Sequence, residues 1–144
     1  MNSHHKTHAI RQVVIGVCTN EKGEFLLAYR KPDDKYGNQW ELPGGGVEDN
    51  ESQRQALKRE WKEELGVDIK VTRKLGSIYG IKLPLSISPF NLHIYAVRIF
   101  FGQKPQPLES QALRWVEEKD ISFLNRNPFV DTLIAMYRIF YPAK

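Results

Sequence analysis

No segment of this chain limits its possible structure more than residues 44–67. Three successive glycines, Gly44, Gly45 and Gly46, lead into residues 51–65, which contain neither glycine nor proline. Leu57, Trp61 and Leu65 recur at i, i+4 and i+8, and Gly66 follows at once, so the spacing predicts a helix with one apolar stripe and a C-terminal glycine stop. Glu60, Glu63 and Glu64, at i, i+3 and i+4, fall on the adjoining stripe. Side chains at those spacings sit roughly 5–6 Å apart at Cβ. Like charges about 4 Å apart repel by about 1 kcal/mol in water and about 4 kcal/mol at an effective dielectric near 20. Two arrangements relieve that repulsion. Lys58, Arg59 and Lys62 can neutralise a solvated acidic face, or a cation can sit among the carboxylates. Carboxylates joined by carbonyls from the glycine-rich turn would make an all-oxygen donor set. Such a set suits Mg²⁺ or Mn²⁺, and the segment offers no thiolate or ordered histidine pair of the kind zinc prefers.

Punctuation by proline and glycine divides the rest into short elements. Residues 10–18 and 24–29, separated by turn residues 20–23, read as a strand hairpin. Residues 39–42 read as a short extended piece, 67–79 as one or two strands, and 92–101 and 112–116 as further strands, with a long proline-containing segment over 80–90. Val130, Leu133, Ile134 and Tyr137 carry helical spacing in residues 128–141, entered through Pro128. Many strands and two helices without regular alternation fit an α+β chain or an α/β/α sandwich around a mixed sheet.

The 144 residues suit one domain, expected over 10–144, and 41% hydrophobic with 26% charged residues excludes disordered and collagenous classes. Residues 1–9, with His4, His5 and His8, read as a flexible polar tail without a metal role. The single cysteine, Cys18, excludes an intrachain disulfide and reads as a buried thiol. Without a long apolar window or a signal-peptide pattern, the expectation is a cytoplasmic protein with no membrane contact. A net charge of +4 favours a phosphate-bearing partner. The cations are scattered and lack interleaved aromatic residues, which argues against a stable nucleic-acid partner.

Gly45, Glu51, Arg59, Glu60, the bulky apolar Trp61, Glu63, Glu64, Gly66 and Val67 fit the spacing G-x5-E-x7-R-E-U-x-E-E-x-G-U, where U is apolar. By this pattern the chain resembles the Nudix hydrolases. Seven fixed identities coincide by accident at a given start on the order of once in 10⁸. Trp61 stands where the family usually has an aliphatic residue. The resemblance implies the Nudix α/β/α sandwich and Mg²⁺- or Mn²⁺-dependent hydrolysis of a nucleoside diphosphate linked to another group. It further implies Glu60, Glu63, Glu64 and the Gly44 carbonyl as metal ligands, with Glu51 and Arg59 as a pair that orients the helix carboxylates.

Other stretches resemble the MutT type, which hydrolyses nucleoside triphosphates to monophosphate and pyrophosphate. Residues 39–45 (Q-W-E-L-P-G-G) resemble its W-E-F-P-G-G entry. Arg30 matches a substrate-contacting arginine, and Glu109, followed by Gln111 and Trp115, matches a ligating and catalytic glutamate outside the main motif. Asn127 beside Pro128 matches the asparagine that reads an oxidised guanine, although here proline follows directly. The implied substrate is a nucleoside di- or triphosphate derivative, including 8-oxo-dGTP. A dinucleoside polyphosphate, a nucleotide sugar, an RNA 5′ end and a non-hydrolytic nucleotide sensor remain alternatives, and the oligomeric state stays open.

Overall fold

The structure, a computed structural model, describes residues 10–33, 36–84 and 88–144. The expected tail over residues 1–9 lies outside these residues. Strand β1 (Arg11–Cys18) organises the molecule. It pairs antiparallel with β4 (Gly44–Gly46) on one side and parallel with β6 (Phe90–Ile99) on the other. Strand β5 (Ile69–Ile81) completes this mixed sheet antiparallel to β6, giving the order β4-β1-β6-β5. Strands β3 (Trp40–Glu41) and β7 (Ala112–Val116) flank β2 (Phe25–Tyr29) in a second, three-stranded sheet.

This topology corrects the hairpin expected of the first two strands. Both edges of β1 are occupied, so β2 cannot join its ladder, and only the bridge between Thr19 and Phe25 links them. The turn itself forms as its residues dictate: Asn20 Oδ1 accepts from the backbone N–H of Lys22 and of Glu24, and Gly23 adopts φ 76°.

Apolar residues cover both faces of the mixed sheet, as expected of strands buried on two sides. Val17, Ile94 and Ala96 on one face pack with Leu133 and Ile134 of α3 (Val130–Phe140) and with Phe25 and Leu27 of the second sheet. Val14, Tyr95 and Val97 on the other face pack with Ala56, Leu57, Trp61 and Leu65 of α1 (Gln53–Leu65). The α/β/α sandwich follows from these two cores. The short helix α2 (Glu118–Ile121) adds a third helix to the two expected, its single turn being too brief to leave a periodic signal. Cys18 is buried, which pushes its thiol up to about 11.

Candidate active site

Helix α1 starts two residues later than periodicity alone suggests, because Ser52 caps it. The Ser52 hydroxyl accepts from the Gln55 N–H at 3.1 Å, and the Gln55 side chain accepts from the Ser52 N–H at 2.8 Å. At the other end Gly66 takes φ 69° and donates to the Lys62 carbonyl. Trp61 is fully buried, and its indole N–H donates to the Pro43 carbonyl at 3.3 Å. A Cβ on Gly16 would meet the Trp61 ring at 2.9 Å, so β1 admits the indole only with glycine there. These contacts fix the acidic stripe against the segment that leads into β4.

The triple glycine is a strand and not a turn, and none of its residues has a left-handed φ. Its glycines are needed for close approach. A Cβ on Gly44 would fall on the Val14 carbonyl oxygen, and one on Gly45 would fall inside the Glu60 carboxylate. Glu60 therefore lies directly against the backbone of β4.

Arg59 ties the cluster together. Its Nε and Nη2 grip Glu51 at 3.0 and 2.7 Å, its Nη2 also donates to the Gly46 carbonyl at 2.8 Å, and its Nη1 reaches Glu60 at 2.9 Å and Glu63 at 3.3 Å. Hydrogen bonds from Arg59 and from the Glu48 N–H hold the Glu51 carboxyl down at about 2, and Glu51 and Glu60 hold the Arg59 guanidinium above its usual range. The structure thus joins Glu51 to Arg59, the pair that the resemblance implies, and Arg59 also neutralises Glu60 and Glu63 of the acidic face, whereas its bond to the Gly46 carbonyl was not legible in the sequence. Lys62 turns instead to Asp68 at 3.5 Å.

Glu64 lacks such compensation. Burial pushes its carboxyl up to about 8, with smaller contributions from the charges of Glu60, Glu41 and Glu109, opposed by Arg30. Its Oε2 is buried and, among the described residues, has no hydrogen-bond partner. Glu60 is also raised, chiefly by burial, although Arg59 opposes the shift. A buried acceptor without a donor is costly unless something with positive charge reaches it.

A cleft of about 390 Å³ joins these groups to the residues singled out for substrate. Gly44, Glu60 and Glu64 line it together with Arg30 and Asn127. Glu109 stands outside this cleft but lines a neighbouring one of about 340 Å³ with Glu64, Glu41 and Arg30. Half-exposed Glu63 lines neither and is drawn to Arg59. The guanidinium of Arg30 pairs with Glu41 at 3.0 Å. Glu41 carries no assignment from sequence, yet it belongs to the site; its only signal was its place one residue before Leu42 in the W-E-L-P-G-G run. Asn127 also builds the turn into α3, its Oδ1 accepting from the Phe129 N–H at 2.9 Å. Tyr36, Leu83, Phe90 and Phe129 line the same cleft, and sequence spacing gave no reason to separate them from core aromatic and aliphatic residues.

The donor set fits a hard divalent cation. It is made of carboxylates and backbone carbonyls, and one buried carboxylate oxygen awaits a positive partner. Among the described residues, no three His, Cys, Asp or Glu side chains already converge as a finished metal centre, because Arg59 holds Glu60 and Glu63.

Comparison with known proteins places these features in context. The NUDIX domain family model matches residues 9–137. The CTP pyrophosphohydrolase of Escherichia coli is 36% identical over 107 residues, covering 74% of this chain and 76% of that protein. An 8-oxo-dGTP diphosphatase of Haemophilus influenzae is 34% identical over 109 residues, covering 76% of this chain and 77% of its own. In three dimensions, the solution structure of the E. coli ORF135 protein matches with a TM-score of 0.72 at 29% identity, covering 94% of this chain and 93% of that one. The crystal structure of MutT protein from Methanosarcina mazei shares the fold, with a TM-score of 0.73 at 24% identity over 91% of this chain and 95% of its own.

Proposed function

This chain belongs to the NUDIX domain family, and from that membership we propose that it hydrolyses a nucleoside triphosphate to a nucleoside monophosphate and pyrophosphate, dependent on Mg²⁺ or Mn²⁺. Hydrolysis of an acid anhydride is the general activity of the chain; the substrate and the metal are our reading. One observation carries it: the cleft holding Glu60 and the buried Glu64, unpartnered at Oε2 among the described residues, is continuous with Arg30 and Asn127. A charged polyphosphate and a polar base edge can therefore be met in one place. The two curated relatives are named for CTP and for 8-oxo-dGTP, both free triphosphates. That favours a free triphosphate over a dinucleoside polyphosphate or a nucleotide sugar.

In this reading Glu60, Glu63, Glu64, Glu109 and the Gly44 carbonyl hold the cation. When bound, the cation neutralises charge on the phosphoanhydride oxygens and lowers the pKa of bound water. Arg59, anchored by Glu51, orients Glu60 and Glu63, and would share these two carboxylates with a bound cation. The Arg30 guanidinium donates to substrate phosphate, and the Asn127 side-chain amide, whose Oδ1 is already engaged, presents Nδ2 to a base edge that accepts hydrogen bonds. A carboxylate of the Glu60 and Glu64 pair takes the proton of the attacking water. Oxidised guanine nucleotides such as 8-oxo-dGTP are included among the substrates.

The test is a product assay on the full chain with Mg²⁺ and separately with Mn²⁺, offering CTP, dGTP, 8-oxo-dGTP, a dinucleoside tetraphosphate and a UDP-sugar. Release of pyrophosphate and monophosphate from at least one free triphosphate is expected. Cleavage of the dinucleoside polyphosphate or the sugar alone would overturn the substrate assignment, and binding without turnover anywhere on the panel would overturn hydrolysis.

A further inference from the structure

Strand β4 has an acidic group against one face and a positive group against the other. Arg30 stands beside Glu41 in the cleft that Glu64 also lines. At Gly45 the Glu60 carboxylate packs against the backbone. At Gly46 the guanidinium of Arg11 lies where a side chain would otherwise be: a Cβ there would sit 3.2 Å from Arg11 Nη2 and 3.4 Å from Nε. Glu60 thus lies on the α1 side of β4, while Arg11 shares the opposite side with Val13 and Ile15, and the cleft that both line passes round β4, the edge of its sheet.

Among the described residues, Arg11 differs from the other two arginines of the site in having no acidic partner. Arg59 is engaged by Glu51, Glu60 and Glu63, and Arg30 by Glu41. Among the described residues Arg11 makes no ion pair and no side-chain hydrogen bond, and it lines the same cleft as Gly44, Gly45, Gly46 and Glu60. It opens β1, opposite Phe90 of β6, and so is fixed at its base by a parallel ladder while its head stays available. A guanidinium with free N–H groups over a glycine strand is suited to phosphate oxygens, which it meets as a fork.

The geometry points to Arg11 as a second substrate-binding residue, which meets substrate phosphate from the face of β4 opposite Glu60. This rests on the nucleotide reading above. With both arginines engaged, the phosphates are held by charge from two walls of one cleft, which strengthens binding of substrate. No element of the sequence pattern marks this residue, because it precedes the main motif by more than thirty positions and is brought to it only by the pairing of β1 with β4.

Inorganic tripolyphosphate, free and with Mg²⁺, is the probe, since its binding by calorimetry reads Arg11 whether or not a given nucleoside is turned over. We expect Arg11→Ala to weaken binding about five- to tenfold, Arg11→Lys to restore part of it, and the melting temperature to stay unchanged because Arg11 has no intramolecular partner. Arg98→Ala, which removes an exposed cation elsewhere on β6, controls for net charge and should change affinity less than about twofold. On whichever triphosphate the parent cleaves, Arg11→Ala should raise KM and leave kcat within about twofold. Parent-like tripolyphosphate binding in Arg11→Ala, or an equal loss in Arg98→Ala, would overturn the assignment. A chain that cleaves no triphosphate but still loses tripolyphosphate binding on Arg11→Ala would sink the nucleotide reading and leave the phosphate grip standing.

Discussion

Glu64 holds the sharpest conflict in the molecule, since its carboxyl is buried, lacks a partner for Oε2 among the described residues and sits near three other acids. Its folded pKa of about 8 lies above the ordinary value of 4.5. Between those values the unfolded chain has released its proton and the folded chain retains it, so stability falls as pH rises through that window. Replacing Glu64 with Gln removes the conflict. Without divalent cation, thermal denaturation of Glu64→Gln should show a gain over the parent that is larger at pH 8 than at pH 5, together with a loss of turnover; a pH-independent difference would contradict the assignment. Glu51 has the opposite sign. Its folded pKa of about 2 means its contribution is present above about pH 4.5 and is lost as pH falls toward 2. Removing either member of the Glu51 and Arg59 pair should lower cation affinity or turnover about 10- to 100-fold, since each orients groups that do the binding. The three acids of the stripe were readable from helical spacing alone. Arg59's bond to the Gly46 carbonyl and the place of Glu41 were not, because those depend on which strand passes over the helix.

At the scale of elements, the sequence makes α1 plain: an apolar stripe and a glycine stop leave little choice, and only the start, set by the Ser52 and Gln55 cap, went unread. Loss of the Ser52 cap should cost about 1 kcal/mol in urea denaturation. Truncation of buried Trp61 to Ala should cost about 3–5 kcal/mol, because it opens a cavity between the helix, Gly16 and Pro43. The glycine run is where local reasoning fails. Read alone it signals a turn with unusual dihedrals, whereas the fold uses it as a strand whose missing side chains let Glu60 and the Val14 carbonyl come close. Gly45→Ala should therefore displace the Glu60 carboxylate and depress turnover well beyond its effect on melting temperature. Parent-like activity in that variant would show that Glu60 need not sit against β4. The hairpin expectation failed for a related reason, since strand propensity says nothing about edges already occupied.

At the scale of the whole molecule, the order of strands and helices narrowed the fold to an α+β arrangement or the sandwich, because amphipathic helices bury their stripes against sheet faces, and the resemblance of residues 45–67 singled out the sandwich. The second sheet was not legible. It arises because β1 is paired on both sides, which sends β2 to β3 and β7 and carries Arg30 and Glu41 to the mouth of the cleft. Among the described residues no helix is long and apolar enough to cross a membrane. The molecule thus brings three strands of one sheet, residues at the ends of β2 and β3 and the C-terminal half of α1 to an acidic cleft with arginines around it. Whether that cleft receives a divalent cation is decided by titrating the full chain with Mn²⁺ and following the free ion by electron paramagnetic resonance, beside the Glu60→Gln/Glu64→Gln double variant. We expect the parent to bind Mn²⁺ with an affinity that rises between about pH 6 and pH 8 as Glu64 gives up its proton, and the double variant to bind at least about tenfold more weakly. Identical free-ion curves for the two proteins would contradict it.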